Sequence, residues 1–365
     1  VAAQSDLRRD LSRNIGGRIY AELEEGLDPD RIAGQLARVF GIRWYAPAAR
    51  VERTVDDIEA AAVEEARAQY AGGAKTFKLE AERRDKRFPH SSYELCCRIG
   101  DTIRSEMPEF TAQLDDPDAL INIEVRTNHG LVFGEKKRGL GGLPVRSTGR
   151  VLALISGGID SPVAAWQLMR RGLEVECVYF ASPPFTGSRA EQKARDLVAA
   201  LSAYAPKPVP LHVCHFTEVQ ETIAEQIPEE FWTLLHRRFM QRIASELARR
   251  RRCGALATGD SIGQVASQTL RNMTAIDRAT DDLVLRPLLS MDKQDIIELA
   301  REIGTYPVST RPFEDCCVLF APKSPATAAH PELVTDQEAK LDVDGLVNRA
   351  VERVELRPQE PARVP

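Results

Sequence analysis

The sequence predicts an α/β protein organised around a parallel sheet, and two observations carry that prediction. The stretch VLALISGGIDSPVAAWQLM opens on an apolar run of strand length at 151–155, turns through Ser156, Gly157 and Gly158, and resumes helical apolar spacing after Asp160 and Ser161. From there to residue 303 strand-length and helix-length patterns alternate, as in βαβ units with helices on both sheet faces and ligands at the carboxyl ends of the strands. With 365 residues the chain has room for two or three domains.

Composition narrows the setting. The 49 basic and 54 acidic residues leave a net charge of -5, which argues against a protein that coats nucleic acid non-specifically. No run approaches the roughly 20 apolar residues of a membrane span and no signal peptide opens the chain, so a cytoplasmic protein with no membrane partner is expected. The seven cysteines include the pairs Cys96-Cys97 and Cys316-Cys317 but no CxxC. That pattern fits free thiols in a reducing compartment, not a disulfide framework or a zinc site.

Leu7, Leu11, Ile15, Ile19 and Leu23 recur at helical spacing, predicting a helix over 7–24 with no strand before it, as though a first strand were missing. A second helix runs from Asp28 or Asp30 to Phe40, followed by an extended segment through Trp44 and Tyr45. From Arg53 the pattern gives a short strand, Thr54 as N-cap, a helix over 55–70, a break at Gly72-Gly73 and an alternating strand over 76–81. The basic run Arg83, Arg84, Lys86 and Arg87 leads to a turn at Pro89, a helix from Ser91 or Ser92 to Glu106, and strands over 119–126 and 130–137. Lys136, Lys137 and Arg138, with Arg146 and Arg150, add a second basic run beside a glycine-rich segment. Any one of these cations reads as a solvated surface residue, but together they predict a basic lip for a polyanion.

Beyond the glycine turn the predicted elements are strand 174–181, helix 189–204, strand 209–216, helices 217–227 and 230–251, strand 255–258, helix 263–273, strand 283–286 and helix 293–303. Asp292 with Asp295 resembles a capping box, and Gly304 closes that helix. The tail is helical around 338–354, then proline-rich and frayed. Four segments result: 1–50, 51–145, a sheet domain over 146–330, and a helix and tail over 331–365.

Backbone N–H groups of the glycine turn, the Ser156 and Ser161 hydroxyls and a helix N-terminus together favour an anion, most simply a phosphate. The spacing is neither GxxxxGK[ST] nor GxGxxG. Asp160 is either a helix cap or a group that holds Mg2+ and orders the loop. Three further stretches fall at strand ends: Tyr179-Phe180, residues 257–270 (ATGDSIGQVASQTL) and residues 311–325 (RPFEDCCVLFAPKSP).

SGGIDS resembles the pyrophosphate loop of the ATP pyrophosphatase (PP-loop) superfamily, which splits ATP between its α and β phosphates and adenylates an acceptor. The element order of 51–145 and its ending GEKKRGLGGLP resemble the THUMP domain of RNA-modifying enzymes, which a ferredoxin-like domain precedes; residues 1–50 would supply part of that. With GDSIGQVASQTL and RPLLSMDK in the same order, nearly the whole chain resembles the tRNA 4-thiouridine synthetase family.

The resemblance implies ATP and Mg2+ as cofactors, tRNA as partner, a cysteine desulfurase or other persulfide donor, and a homodimer. It places ATP against Leu154, Ile155, Ser156, Gly157, Gly158, Asp160, Ser161, Tyr179, Phe180, Arg237, Gly259 and Gln268. It gives Cys316 a part in sulfur transfer; with Asp160 read as a functional carboxylate of the loop, these two are the expected catalytic residues, and the basic runs make Arg83, Arg84, Lys86, Arg87, Lys136, Lys137 and Arg138 the expected RNA-binding residues. These assignments make physical sense: strand-end apolar groups and Tyr179-Phe180 wall an adenine, Gly259 admits close approach, Gln268 both donates and accepts, and Arg237 neutralises phosphate. The competing readings are sheet core for Leu154, Ile155 and Phe180, and a solvated helix face for Arg237, beside Arg238 and Arg242. Cys177, Cys214, Cys253 and the Cys96-Cys97 pair read as packing residues.

The implied chemistry is adenylation of the uridine C4 oxygen followed by sulfur transfer. Some family members carry a C-terminal rhodanese domain for the persulfide; the given sequence ends at Pro365 without one, so Cys317 or a separate sulfurtransferase is expected in that role. Two alternatives stay open at this level: another ATP pyrophosphatase that thiolates a different base or forms an amide, and a tRNA-binding protein without catalysis.

Overall fold

The computed structural model describes residues 12–15, 18–21, 23, 27–312 and 326–358, which fall into two compact units. One comprises Val1–Ala37 and Ile42–Gly139, the other Arg38–Gly41 and Leu140–Pro365.

The first unit begins with an antiparallel pair, β1 (Ser12–Ile15) and β2 (Arg18–Ala21), where a helix over 7–24 is expected. The i, i+4 spacing of apolar residues fits a helical template, but Gly16-Gly17, both poor helix formers, interrupts it, and a Gly-Gly pair between two short segments is a hairpin signal. Helix α1 (Pro29–Leu36) starts as its sequence requires, with Asp28 accepting from the Asp30 N–H at 3.0 Å and proline in the first turn. After β3 (Trp44–Tyr45) and β4 (Ala49–Val51), α2 (Val55–Ala71) is capped by Thr54, and the helix after β5 (Thr76–Arg83), α3 (Ser92–Glu106), opens on a capping box between Ser91 and Glu94. The remaining strands are β6 (Thr111–Ala112), β7 (Ala119–Val125), β8 (Gly130–Phe133) and β9 (Lys137–Arg138). The sheet order is β4-β8-β7-β5-β6, and Ile58, Ala62 and Ala66 of α2 with Leu95, Ile99 and Ile103 of α3 bury their stripes against Phe77, Ile121 and Ile123.

The second unit carries the parallel sheet. Strand β10 (Arg150–Leu154) leads through the glycine turn into α4 (Asp160–Arg170), then β11 (Glu174–Ala181), α5 (Ser188–Ser202), β12 (Leu211–His215), α6 (Thr217–Gln226), α7 (Trp232–Arg251) and β13 (Ala255–Ala257). There follow α8 (Leu270–Asp277), β14 (Val284–Leu285), α9 (Lys293–Glu302), α10 (Tyr306–Ser309), α11 (Pro331–Glu338), α12 (Val343–Glu352) and β15 (Glu355–Arg357). The order β14-β13-β10-β11-β12-β15 is parallel except for β15. Alternation along β10 sends Val151, Ala153 and Ile155 into the core on one face and Leu152 into the core on the other. Because the chain leaves β10 toward β11 and returns on the opposite side at β13, the strand order reverses beside β10, the usual place for a ligand crevice.

Two expectations for this unit are corrected. No single helix spans 263–273: Ala266–Gln268 is a short 3₁₀ turn, and α8 begins at Leu270, where Thr269 accepts from the Asn272 N–H. Gly263 adopts a φ of 75°, which breaks a helix, and Thr269 is the cap that marks the true start. The chain is not frayed directly after 354, since β15 pairs antiparallel with β12 at the edge of the sheet, while the end of the proline-rich tail, 359–365, lies outside the described residues.

Candidate nucleotide-binding site

The carboxyl ends of β10, β11 and β13 surround a cavity of about 190 Å³. Leu154, Ile155, Ser156, Gly158, Asp160, Ser161, Tyr179, Phe180, Arg237, Gly259 and Gln268 all line it, so the structure brings together eleven of the twelve residues expected around ATP, Gly157 being the exception. Met240, Gln241, Thr258, Asp260 and Ile276 complete the wall and were not anticipated from sequence.

The glycine turn is held by its own serines. The Ser156 N–H donates to Ser161 Oγ at 2.9 Å and the Gly158 N–H to Ser156 Oγ at 3.2 Å, while Ser309 of α10 donates to the Gly158 carbonyl at 3.0 Å. Gly259 is required by packing against this loop: a Cβ there would lie 2.7 Å from the Ser161 nitrogen and 2.8 Å from its Cα. Asp160, first residue of α4, has no capping bond; its Oδ1 meets Lys293 Nζ at 2.6 Å and its Oδ2 accepts from Gln264 Nε2 at 2.8 Å.

Asp260 is a second charged centre in the cavity lining. It is 6% exposed and receives Arg237 Nη1 at 2.6 Å, Thr258 Oγ1 at 2.7 Å and Gln268 Nε2 at 3.2 Å, with Arg286 Nε at 3.5 Å. Burial pushes its carboxyl up, but the Arg237 charge and the three hydrogen bonds outweigh that and hold it at about 2. Arg237 is therefore anchored rather than splayed on a solvated face. Arg237 is half-buried, whereas its neighbour Arg238 is buried, ion-paired to Glu338 of α11, which also holds Arg242.

The cavity fits a nucleotide on its donor set. Leu154, Tyr179, Phe180, Met240 and Ile276 give the lining its apolar surface, and the carboxamide oxygens of Gln241 and Gln268, both buried, have no hydrogen-bond partner among the described residues. Such groups match the amino group and hydroxyls of an adenine nucleoside beside a phosphate loop. For Mg2+ the carboxylate at the phosphate loop among the described residues is Asp160, since Asp260 is taken up by Arg237, Thr258 and Gln268; among the described residues no cluster of three or more His, Cys, Asp or Glu could hold a metal.

Residues 146–343 match the family described as "Thiamine biosynthesis protein (ThiI)", and residues 52–133 match the THUMP domain. A probable tRNA sulfurtransferase of Brevibacillus brevis is 43% identical over 346 residues, covering 95% of this chain and 86% of that protein. The chain belongs to the ThiI family. A crystal structure described as a 4-thiouridine synthetase–RNA complex with bound ATP superposes with a TM-score of 0.91 at 34% identity, over 96% of this chain and 90% of that one. A protein of Pyrococcus horikoshii shares the fold, with a TM-score of 0.63 at 23% identity over 82% of this chain and 89% of that one.

Within the ThiI framework the other expected residues are placed less uniformly. Cys316, with Cys317, lies outside the described residues. Burial pushes the thiols of Cys177, Cys214 and Cys253 up to about 12, in keeping with packing roles. The two basic runs do not form one lip. Strand β8 runs antiparallel to β7 and β7 parallel to β5, so the run after β5 and the run after β8 leave the sheet at opposite ends. Arg83 is turned inward to the carbonyls of Phe88 and His90, Arg87 is paired with Asp85 at 3.0 Å and Arg84 with Glu82 at 3.0 Å, and Lys86 is exposed. Lys136 lies 5.4 Å from the Trp44 ring centroid and Lys137 is 3.7 Å from Asp30, with Arg138 exposed on β9.

Among the described residues no helix is long and apolar enough to cross a membrane.

Proposed function

We propose that this chain thiolates a tRNA uridine to 4-thiouridine in an ATP-dependent reaction. The observation that carries the reading is one cavity at the strand reversal lined by the SGGIDS loop, Tyr179-Phe180, Arg237 and the GDSIGQVASQTL segment, in a chain whose relatives are called a probable tRNA sulfurtransferase and a 4-thiouridine synthetase bound to RNA and ATP.

The geometry supports the following division of labour. The apolar lining takes the adenine, and the phosphate-loop residues that line the cavity, Ser156, Gly158 and Ser161, with the start of α4, take the phosphates. The uridine C4 oxygen attacks the α-phosphorus, the bond to the β-phosphate bridging oxygen breaks, and pyrophosphate leaves into the loop. The outer sulfur of a persulfide then attacks C4 and AMP departs with the former C4 oxygen. A second thiol attacks the inner sulfur of the resulting C4–S–S–Cys linkage, forming a disulfide and releasing 4-thiouridine. Cys316 is the proposed sulfur-handling residue, with Cys317 or a separate sulfurtransferase as its partner and a cysteine desulfurase or other persulfide donor as the source.

Asp160 would help hold Mg2+, which would neutralise charge on the leaving pyrophosphate. The first unit supplies the tRNA contacts, a homodimer is the proposed assembly, and a cytoplasmic location follows from the tRNA substrate.

The deciding test is pyrophosphate release from ATP by the purified protein. Release that requires unmodified tRNA supports the reading. Release driven by a small-molecule acceptor and indifferent to tRNA, or tight tRNA binding with no AMP formed under any sulfur supply, contradicts it.

A further inference from the structure

Gln268 is only 5% exposed; its Nε2 donates to Asp260 Oδ1 at 3.2 Å while its Oε1 has no partner among the described residues. The orientation is not arbitrary. An ionised carboxylate only accepts hydrogen bonds, so the amide nitrogen must face Asp260 and the amide oxygen is the atom left over. Asp260 cannot swing away to release it, because Arg237 shares Oδ1 at 2.6 Å while Thr258 at 2.7 Å and Arg286 at 3.5 Å occupy Oδ2. Asp260, Gln268, Arg237 and Thr258 all line the same cavity. A buried acceptor held in a fixed orientation and left unmatched by the protein is costly unless a ligand donates to it.

We propose that Asp260 is a positioning residue of the nucleotide site: its carboxylate locks Gln268 so that the amide oxygen accepts a hydrogen bond from an N–H or O–H of the bound nucleotide, either the amino group of the base or a ribose hydroxyl. The inference rests on the reading of this cavity as an ATP site and adds a determinant of nucleotide choice to it. Asp260 itself does not touch the reacting atoms. It acts by removing the alternative amide orientation, in which Gln268 would present a donor and favour a keto base.

The test is calorimetric binding of ATP, ITP, 2′-deoxy-ATP and 3′-deoxy-ATP to the full chain as wild type, Asp260→Asn, Gln268→Leu and the double variant. Wild type should prefer ATP over the analogue lacking the relevant donor by ~10-fold, the loss expected when a buried acceptor goes unmatched. ITP as the weak analogue identifies the amino group; a deoxy form as the weak one identifies the hydroxyl. Both single variants should lose that preference, and the double variant should bind no worse than Gln268→Leu alone.

Asp260→Asn keeping the wild-type preference overturns the inference, as do single-variant losses that add in the double. Should Asp260→Asn fail to fold, Gln268→Leu leaves the Asp260 ion pairs intact, and unchanged discrimination in that variant overturns the inference equally. Wild type that binds none of the four nucleotides refutes the ATP site itself, whereas ATP binding with variant-independent discrimination refutes only the role of Asp260.

Discussion

Lys293 Nζ stands 2.6 Å from Asp160 Oδ1, and these are the first residues of α9 and α4. A carboxylate suits a helix N-terminus, but a cation there opposes the helix dipole. The pair makes sense where two helix starts, a glycine loop and a lysine converge on a negatively charged ligand. Lys293→Met should therefore lower tRNA-dependent pyrophosphate release by ~10-fold or more without unfolding the protein. Asp160→Ala should abolish adenylation. Release by Lys293→Met at the wild-type rate would show that the ion pair only joins the helices.

Gly259 provides a test of packing at the phosphate loop. In Gly259→Ala the new methyl would fall 2.7–2.9 Å from Ser161 N, Ser161 Cα and the Asp160 carbonyl carbon, backbone atoms that cannot rotate aside. A cost of about 1–3 kcal/mol is expected from such overpacking, together with weaker ATP binding. Denaturant unfolding and calorimetry on the same sample would check both. An alanine variant of unchanged stability and ATP affinity would mean that the two segments are not in contact.

Asp260 and Glu176 are two of the carboxylates that anchor acid stability. Burial raises both, yet Arg237 with its companions holds Asp260 at about 2, and His212 and Arg251 hold Glu176 at about 2. A carboxylate depressed on folding contributes stability that is present above its unfolded value, near pH ~4, and lost as pH falls toward ~2. By that linkage they are worth on the order of 2 to 3 kcal/mol each. Glu176 sits toward the start of β11, away from the cavity at its end, so Glu176→Gln should shrink the loss of stability between pH ~4 and ~2 while leaving ATP binding alone. The same acid slope in variant and wild type would argue against the anchor.

Because the basic runs leave the sheet of the first unit at opposite ends, they should act independently on tRNA. Alanine at Arg84, Lys86 and Arg87, and alanine at Lys136, Lys137 and Arg138, should each weaken tRNA binding and flatten its salt dependence. In the six-residue variant the two losses should add, as expected for distant sites. A second triple that costs nothing in the background of the first would indicate a single contact surface.

The sequence made the phosphate loop legible because glycines, serines and a strand-to-helix change of period are local signals. Tyr179, Phe180, Gly259 and Gln268 were legible only through the family pattern, since a strand-end aromatic or a lone glutamine has no chemistry of its own to announce. Gln241 was missed although it lies four residues after Arg237, one turn along the same helix face, which is the signal that would have found it. Asp260 was missed because nothing local marks an aspartate after a strand until its partners from α7 and the 3₁₀ turn are known. The first hairpin and β15 escaped because strands of three or four residues carry almost no periodicity and depend on what they pair with.

For the sulfur step, Cys316→Ala should keep tRNA-dependent pyrophosphate release and lose thiolation. Thiolation at the wild-type rate in that variant would remove Cys316 from the reaction.

The central claim, that this chain places sulfur on tRNA uridine, is tested most directly by mass-spectrometric nucleoside analysis of tRNA from cells that lack the gene. The account predicts loss of 4-thiouridine, restored by the wild-type gene and not by the Asp160→Ala form. Unchanged 4-thiouridine in the deleted strain would contradict it.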